Sequence, residues 1–270
     1  MEKNERKNRE TVKAVGIHHN QRMSVLVLVV LCVIWAIAAR IIKQPLMLPD
    51  FGEVMKEFVL GWVDLRVMRN LLITIRRVLA GSLLALLLGL TLSLVMGCSD
   101  KAMHGISPIV NSIRQVPIMA WVPLAIVWFG IGEGPTVFLI FMSAVFPLII
   151  NTISGVQSVD PNYINAARSM GATNSAILKD IIIPGAMPGI LTGMRLAVGA
   201  GWMSVICAEF IATSSGFGYI MIEAQQRLET SKLYALMIMS AVIGFAMDRG
   251  LLYLDRRLTG WRFKDGTVTG

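Results

Sequence analysis

The chain has 270 residues, of which 55% are hydrophobic and 16% charged, a balance that excludes a water-soluble globular domain and indicates several membrane-spanning helices. Its formal charge of +8 does not point to nucleic acid, because the basic residues gather toward the two ends and form no stripe beside exposed aromatics. Cys32, Cys98 and Cys207 lie in or beside apolar runs and offer neither a disulfide framework nor metal-ligand spacing, and His18, His19 and His104 find no carboxylate or thiol to share a metal with.

Residues 1–22 carry Lys3, Arg6, Lys7, Arg9, Lys13 and Arg22 without an apolar period and read as a cytoplasmic basic tail. Residues 23–42 follow as a nearly unbroken apolar run, close to the roughly 20 residues a span needs. Ala36-Ile37-Ala38 resembles a signal-peptidase site, but the long preceding tail favours a retained first transmembrane helix running outward. The outer segment, 43–77, holds Asp50 as a cap with Glu53 three residues on, then Phe51, Val54, Met55, Phe58 and Val59 on one side. That pattern predicts a short amphipathic helix lying along the outer leaflet.

The core, 78–254, is expected to hold five more spans. The second covers 78–97, with Arg76 and Arg77 at its outer end reaching for headgroups. A cytoplasmic turn over 98–107 reverses the chain. Arg114, Gln115, Pro117 and Pro123 in 108–131 predict a broken third helix, since interior prolines free carbonyls that neighbours must satisfy. Gly130 to Pro135 make the outer turn, and 136–156 return inward as the fourth span.

Residues 160–184 are the one long interior stretch built for water. Asp160 and Pro161 open a short helix, Gly171 supplies the left-handed residue that ends it, and Thr173 or Asn174 caps a second helix with Ile177, Leu178, Ile181 and Ile182 on one face. Pro184 is expected to stop that helix. Two helices of about ten residues are marginal alone, so such an elbow needs something to pack against. Beyond it, Gly185, Gly189 and Gly193 at four-residue steps, with Gly199 and Gly201, predict close helix packing along a fifth span, 188–213. A polar outer stretch, 214–232, has room for a short helix, 234–254 form the sixth span, and 255–270 make a basic cytoplasmic tail. Both termini are placed inside, chiefly by the basic tail before the first span.

The chain contains no G-x-x-x-x-G-K-[ST] loop, no G-x-S-x-G, no H-E-x-x-H and no histidine paired with a carboxylate. No catalytic, cofactor-binding or metal-binding residue is therefore assigned. Ionisable groups inside spans are few, and each costs on the order of 3 kcal/mol at the bilayer centre. Arg114 and Arg195 lie where snorkelling to the cytoplasmic interface competes with a pore-lining role. Glu209 is read either as paired with a basic neighbour or as a gate. With Gln115, Trp121, Trp202 and Ser204, the residues Arg114 and Glu209 make up the candidate translocation path.

The elbow also carries a family likeness. Asn165-Ala166-Ala167, Gly171, and Ile181-Ile182-Ile183-Pro184 resemble the E-A-A-x(3)-G-x(9)-I-x-L-P loop of ABC importer permeases, with Asn165 in place of the usual Glu and Ile183 in place of Leu. Arg114 to Leu124, Trp128 to Gly134, Pro184 to Arg195 and Ala208 to Ala212 extend the likeness to the permeases for taurine, aliphatic sulfonates and nitrate. The resemblance implies an all-α, six-helix type I ABC importer permease fold in a bacterial inner membrane. It implies a homodimer with the pathway between its two copies, two cytoplasmic ATPase subunits that hold ATP and Mg, and an extracytoplasmic substrate-binding protein. Asn165, Ala166, Ala167, Gly171, Ala172, Ile181, Ile183 and Pro184 would form the ATPase-coupling loop, and the cargo would be a small anion of the sulfonate, taurine, nitrate or bicarbonate class. The chief rival is an ion-coupled secondary transporter. That class places coupling carboxylates near the midplane, where these spans have none.

Overall fold

The computed structural model describes residue 23 and residues 26–258, so the tail expected over 1–22 and most of the carboxy-terminal tail lie outside the described residues. All regular elements among the described residues are helical. The chain divides into two compact units, one of Met1–Gly61 with Ala224–Leu236 and one of Trp62–Glu223 with Met237–Gly270.

In the first unit, α1 (Leu26–Ile42) is followed by α2 (Phe51–Val63). Asp50 caps α2 by accepting from Gly52 N at 2.8 Å. Glu53 does not complete a capping box; it accepts from the Ser231 hydroxyl at 3.2 Å. Trp35 anchors the unit: its indole donates to Pro49 O at 3.1 Å, and its ring meets Phe51 and Tyr234 edge-on.

The second unit begins with α3 (Leu65–Cys98), capped by Asp64, which accepts from Arg66 N. The second span expected over 78–97 therefore starts 13 residues early, and at 34 residues α3 is about 51 Å long, well beyond the hydrocarbon thickness. Hydropathy hides this start because the added turns carry Arg66, Arg69, Asn70, Thr74, Arg76 and Arg77. The turn expected over 98–107 is also overturned: Ser99 alone joins the helices, accepting from Ala102 N as the cap of α4 (Asp100–Ile113). The third segment is broken as expected, with an 88° bend at 114–117, followed by a 3-10 turn at Ile118–Trp121 and α5 (Val122–Phe129). Pro117 marks the break, whereas Pro123 sits harmlessly in the first turn of α5.

Two long helices make the core, α6 (Glu133–Gln157) and, after the elbow, α9 (Ile183–Ala212). A Cβ on Gly189 would lie 2.7 Å from both Asn151 O and Gly155 Cα, so the backbones of α6 and α9 nearly touch and the small-residue steps serve packing within the chain. Leu139, Ile140, Leu148 and Ile149 of α6 are buried along this seam. The chain closes with α10 (Phe217–Gln226) and α11 (Thr230–Leu258).

Among the described residues, four helical stretches are long and apolar enough to cross a membrane: α3, α6, Asn174–Ala212 and α11. The bent pair α4 and α5 makes a fifth if it counts as one span. The described part of α1, Leu26–Ile42, is apolar but shorter than these four, so the described residues reach six only by adding both.

Candidate functional site

The elbow folds from its own local signals. Asp160 accepts from Asn162 N at 2.8 Å and opens α7 (Pro161–Ser169). Gly171 takes φ +84°, and the turn closes with Gly171 N donating to Arg168 O and Ala172 N to Ala167 O, both at 3.0 Å. Thr173 then accepts from Ala176 N at 3.3 Å to start α8 (Asn174–Ile177). A π turn at Leu178–Ile182 leads directly into α9. Pro184 thus does not stop the second helix. Its missing N–H falls in the first turn of α9, where no acceptor is required, and the wider π turn absorbs the change of register.

Ile177 is buried and Leu178, Ile181, Ile182 and Ile183 are half-buried, so the expected apolar face packs inward. Ala167 is buried, while Asn165, Ala166 and Gly171 face out and Ala172 is half-buried. Tyr163 and Met170 are also left in the open, at 67% and 83% exposure. Neither stands out in the sequence, because Ile164 and Ala167 of the same helix are apolar too and only burial separates them from the exposed pair.

A second feature forms at the break after α4. A cavity of about 720 Å³ opens between the 114–121 segment, α6 and α9. Arg114, Gln115, Trp121 and Ser204 all line it, with Phe146 and Met203 supplying much of the apolar wall. Arg114 is the one ionised group in that lining. The Ser204 hydroxyl donates to Gly201 O at 3.1 Å, leaving its oxygen free to accept. Trp121 is held edge-on by Phe138, with ring centroids 6.2 Å apart.

The other two candidate path residues lie elsewhere. Trp202 is buried, donates from its indole to Ser240 O at 3.2 Å, and walls a separate apolar cavity of about 500 Å³. At that cavity Arg195 meets Asp248 at 3.7 Å. Glu209 is fully buried in an ion network. Its carboxylate accepts from Arg77 Nη1 at 2.7 Å, from the Thr74 hydroxyl at 2.8 Å and from Gly218 N at 2.8 Å.

Arg77 is the counterpart. Only 2% of its side chain is exposed, so it does not reach for headgroups as expected. It pairs with both oxygens of Glu133, at 2.7 and 3.2 Å, and donates to Ser215 O at 2.7 Å. Arg76, 70% exposed, remains at the surface and adds a 3.2 Å ion pair to Glu133. A buried arginine with every partner in place holds three helices and a loop together.

Comparison with known proteins agrees with this architecture. Residues 81–260 match the family described as binding-protein-dependent transport system inner membrane component. A putative ABC transporter permease protein of Methanocaldococcus jannaschii is 37% identical over 85% of this chain and 88% of its own length. The taurine transport system permease protein TauC of Escherichia coli is 34% identical over 86% of each chain. The bicarbonate transport system permease protein CmpB of Synechococcus elongatus is 29% identical over 73% of this chain and 71% of its own. Among solved structures, an inward-facing MetNI methionine ABC transporter chain superposes with a TM-score of 0.65 at 16% identity, covering 72% of this chain and 96% of that one. The chain is a multi-pass membrane protein and belongs to the family of inner-membrane permease components of binding-protein-dependent ABC importers.

Proposed function

We propose that this chain carries a small organic or inorganic anion across the membrane through the 720 Å³ cavity, at the interface of a homodimer, with both termini in the cytoplasm. Two ATPase subunits, holding ATP and Mg, seat on the two elbows, and an extracytoplasmic binding protein delivers the cargo. The observation that carries the anion reading is the lining of the cavity, where Arg114 is the sole ionised group among apolar walls. A cation beside surfaces of low polarity attracts an oxyanion more strongly than it would in water. The names of the relatives, taurine and bicarbonate among them, fit such a cargo. The gap between the 114–121 segment, α6 and α9 is open in a single chain, which suits a path completed by a second copy. The elbow's outer side, where Asn165, Ala166 and Gly171 are exposed, suits docking on a water-soluble subunit.

Uptake by the permease reconstituted with its ATPase and binding protein tests this. Replacing Arg114 by Ala should lower ATP-dependent uptake of a sulfonate or bicarbonate by about tenfold, equivalent to ~1.4 kcal/mol, with Arg114→Lys recovering part of it. Equal uptake by Arg114→Ala would move the path elsewhere, and uptake that survives ATP depletion but collapses with an ion gradient would contradict the importer mechanism.

A further inference from the structure

A second cavity, of about 500 Å³, is walled by α6, α9 and α11, and its volume is within the range of sites that hold small ligands. Its lining is apolar, with Leu196, Met247 and Leu251 among the walls, except for two ionised side chains, Arg195 and Asp248. The indole N–H of Trp202, which also lines it, is already spent on Ser240 O. Arg195 Nε stands 3.7 Å from Asp248 Oδ1, beyond hydrogen-bond length. Neither side chain has another polar partner among the described residues. Both are partly exposed, which sets them at the opening of the cavity. The guanidinium thus keeps its five N–H donors, and the carboxylate its lone pairs, open at the mouth of an apolar slot.

Such a pair is costly where it stands. Arg195 is 12 residues into α9, about 18 Å along a helix of about 45 Å, and a charge at that depth in a membrane needs a partner. Each charge calls for a different half of one ligand. Arg195 suits a phosphate, which can take two of its donors at once. Asp248 suits a cation that donates hydrogen, and the slot beside them suits a hydrocarbon chain. A phospholipid with a primary ammonium carries all three, and Leu196 on the exposed side of α9 leaves the slot within reach of the bilayer. We infer that the Arg195 and Asp248 cavity holds one phosphatidylethanolamine molecule, its phosphate on Arg195, its ammonium on Asp248 and one acyl chain between α9 and α11. Phosphatidylglycerol would bring no cation for Asp248, and phosphatidylcholine has a quaternary nitrogen with no hydrogen to donate. Pro147, Ala200 and Met203 line both this cavity and the 720 Å³ one, so the bound chain backs the wall of the proposed path. The site itself does not depend on that path.

The test uses the full-length permease in detergent, given equal amounts of phosphatidylethanolamine, phosphatidylcholine and phosphatidylglycerol with the same acyl chains, and counts bound lipid by native mass spectrometry. The unmodified protein should retain phosphatidylethanolamine over each of the others by about tenfold, the discrimination that one charge-assisted hydrogen bond supplies. Asp248→Asn should bring ethanolamine and choline lipids to near-equal retention, and Arg195→Gln should lower retention of all three. The slot is tested separately. A Cβ on Gly199, which lines it, meets nothing within 4 Å, so Gly199→Leu has room to grow into the cavity and should lower retention of every lipid with the melting temperature unchanged. Gly250→Leu, on α11 outside the lining and equally unobstructed, should change nothing. Equal retention of the three lipids, a preference for phosphatidylglycerol, an unaltered preference in Asp248→Asn, or undiminished binding in Gly199→Leu would each overturn the proposal. A folded dimer that retains no phospholipid would overturn it too, and would mean that side chains of a second copy fill the slot.

Discussion

Glu209 and Arg77 show what a single residue can and cannot disclose from its place in the chain. An acid within an apolar run is visible at once, and a paired role for it is a natural expectation. Its partners are not visible, because Arg77 and Thr74 lie 132 and 135 positions away and only the crossing of α3 with α9 brings them within 3 Å. Hydropathy places the helix start just after Arg77, which makes it look interfacial, whereas α3 begins at Leu65. The polar residues that precede Arg77 carry a helical spacing, and that spacing was the available signal. Burial makes the pair sensitive to loss of one member. Glu209→Ala would take one of two carboxylate partners from the buried Arg77 guanidinium, which keeps Glu133, and would remove the acceptor of Gly218 N, for which about 3 kcal/mol of destabilisation, the low end for breaking a buried pair, is expected. The measurement is thermal unfolding of the detergent-solubilised protein, where Glu209→Ala should melt well below both the unmodified chain and the exposed variant Arg76→Ala, whose ion pair at the surface is worth little. Equal melting of the two variants would mean that the network is not stabilising.

At the scale of elements, the elbow was the most legible part of the molecule because its signals are local: a capping Asp, a proline at the first helical position, a glycine at the turn and a capping Thr. Each sits within a few residues of the backbone group it satisfies. What failed there was the reading of Pro184 as a stop, since a proline ends one helix or begins the next depending on a register that the π turn sets. The 88° break was legible from Pro117, but not the cavity it opens, whose far walls come from α6 and α9. Tyr163 and Met170 convert the elbow into a prediction. They are large apolar groups left open on α7 and at its C-cap, so covering them by a partner releases apolar surface from water, worth roughly 1.5–3 kcal/mol for a fully buried side chain. Replacing both by Asp should leave the permease folded, because neither supports its own core, and should abolish co-purification of the ATPase subunit. Retention of the ATPase by that double variant would place the docking contact away from α7.

For the molecule as a whole, the open sides of the single chain need an account. Leu72, Leu79, Leu83, Leu87 and Leu88 of α3 are largely exposed, as expected of a helix facing lipid, where apolar exposure carries no penalty. α9 differs. Met203 is 75% exposed, yet it stands between two cavities and beside the polar atoms of Ser204 and Arg114. Lipid would set the Arg114 guanidinium against hydrocarbon, whereas a second copy related by twofold symmetry would present the same face, close the cavity and give Arg114 a wet, protein-lined surrounding. The expected outcome is that the purified permease has the mass of two chains. A cysteine introduced at Met203 should cross-link to its own counterpart through a short bifunctional reagent, while one introduced at Leu83, on the exposed leucine face of α3, should not. A chain that stays single in the presence of its ATPase, or that cross-links through Leu83 instead, would put lipid against α9 and require the transport path to be enclosed within one copy.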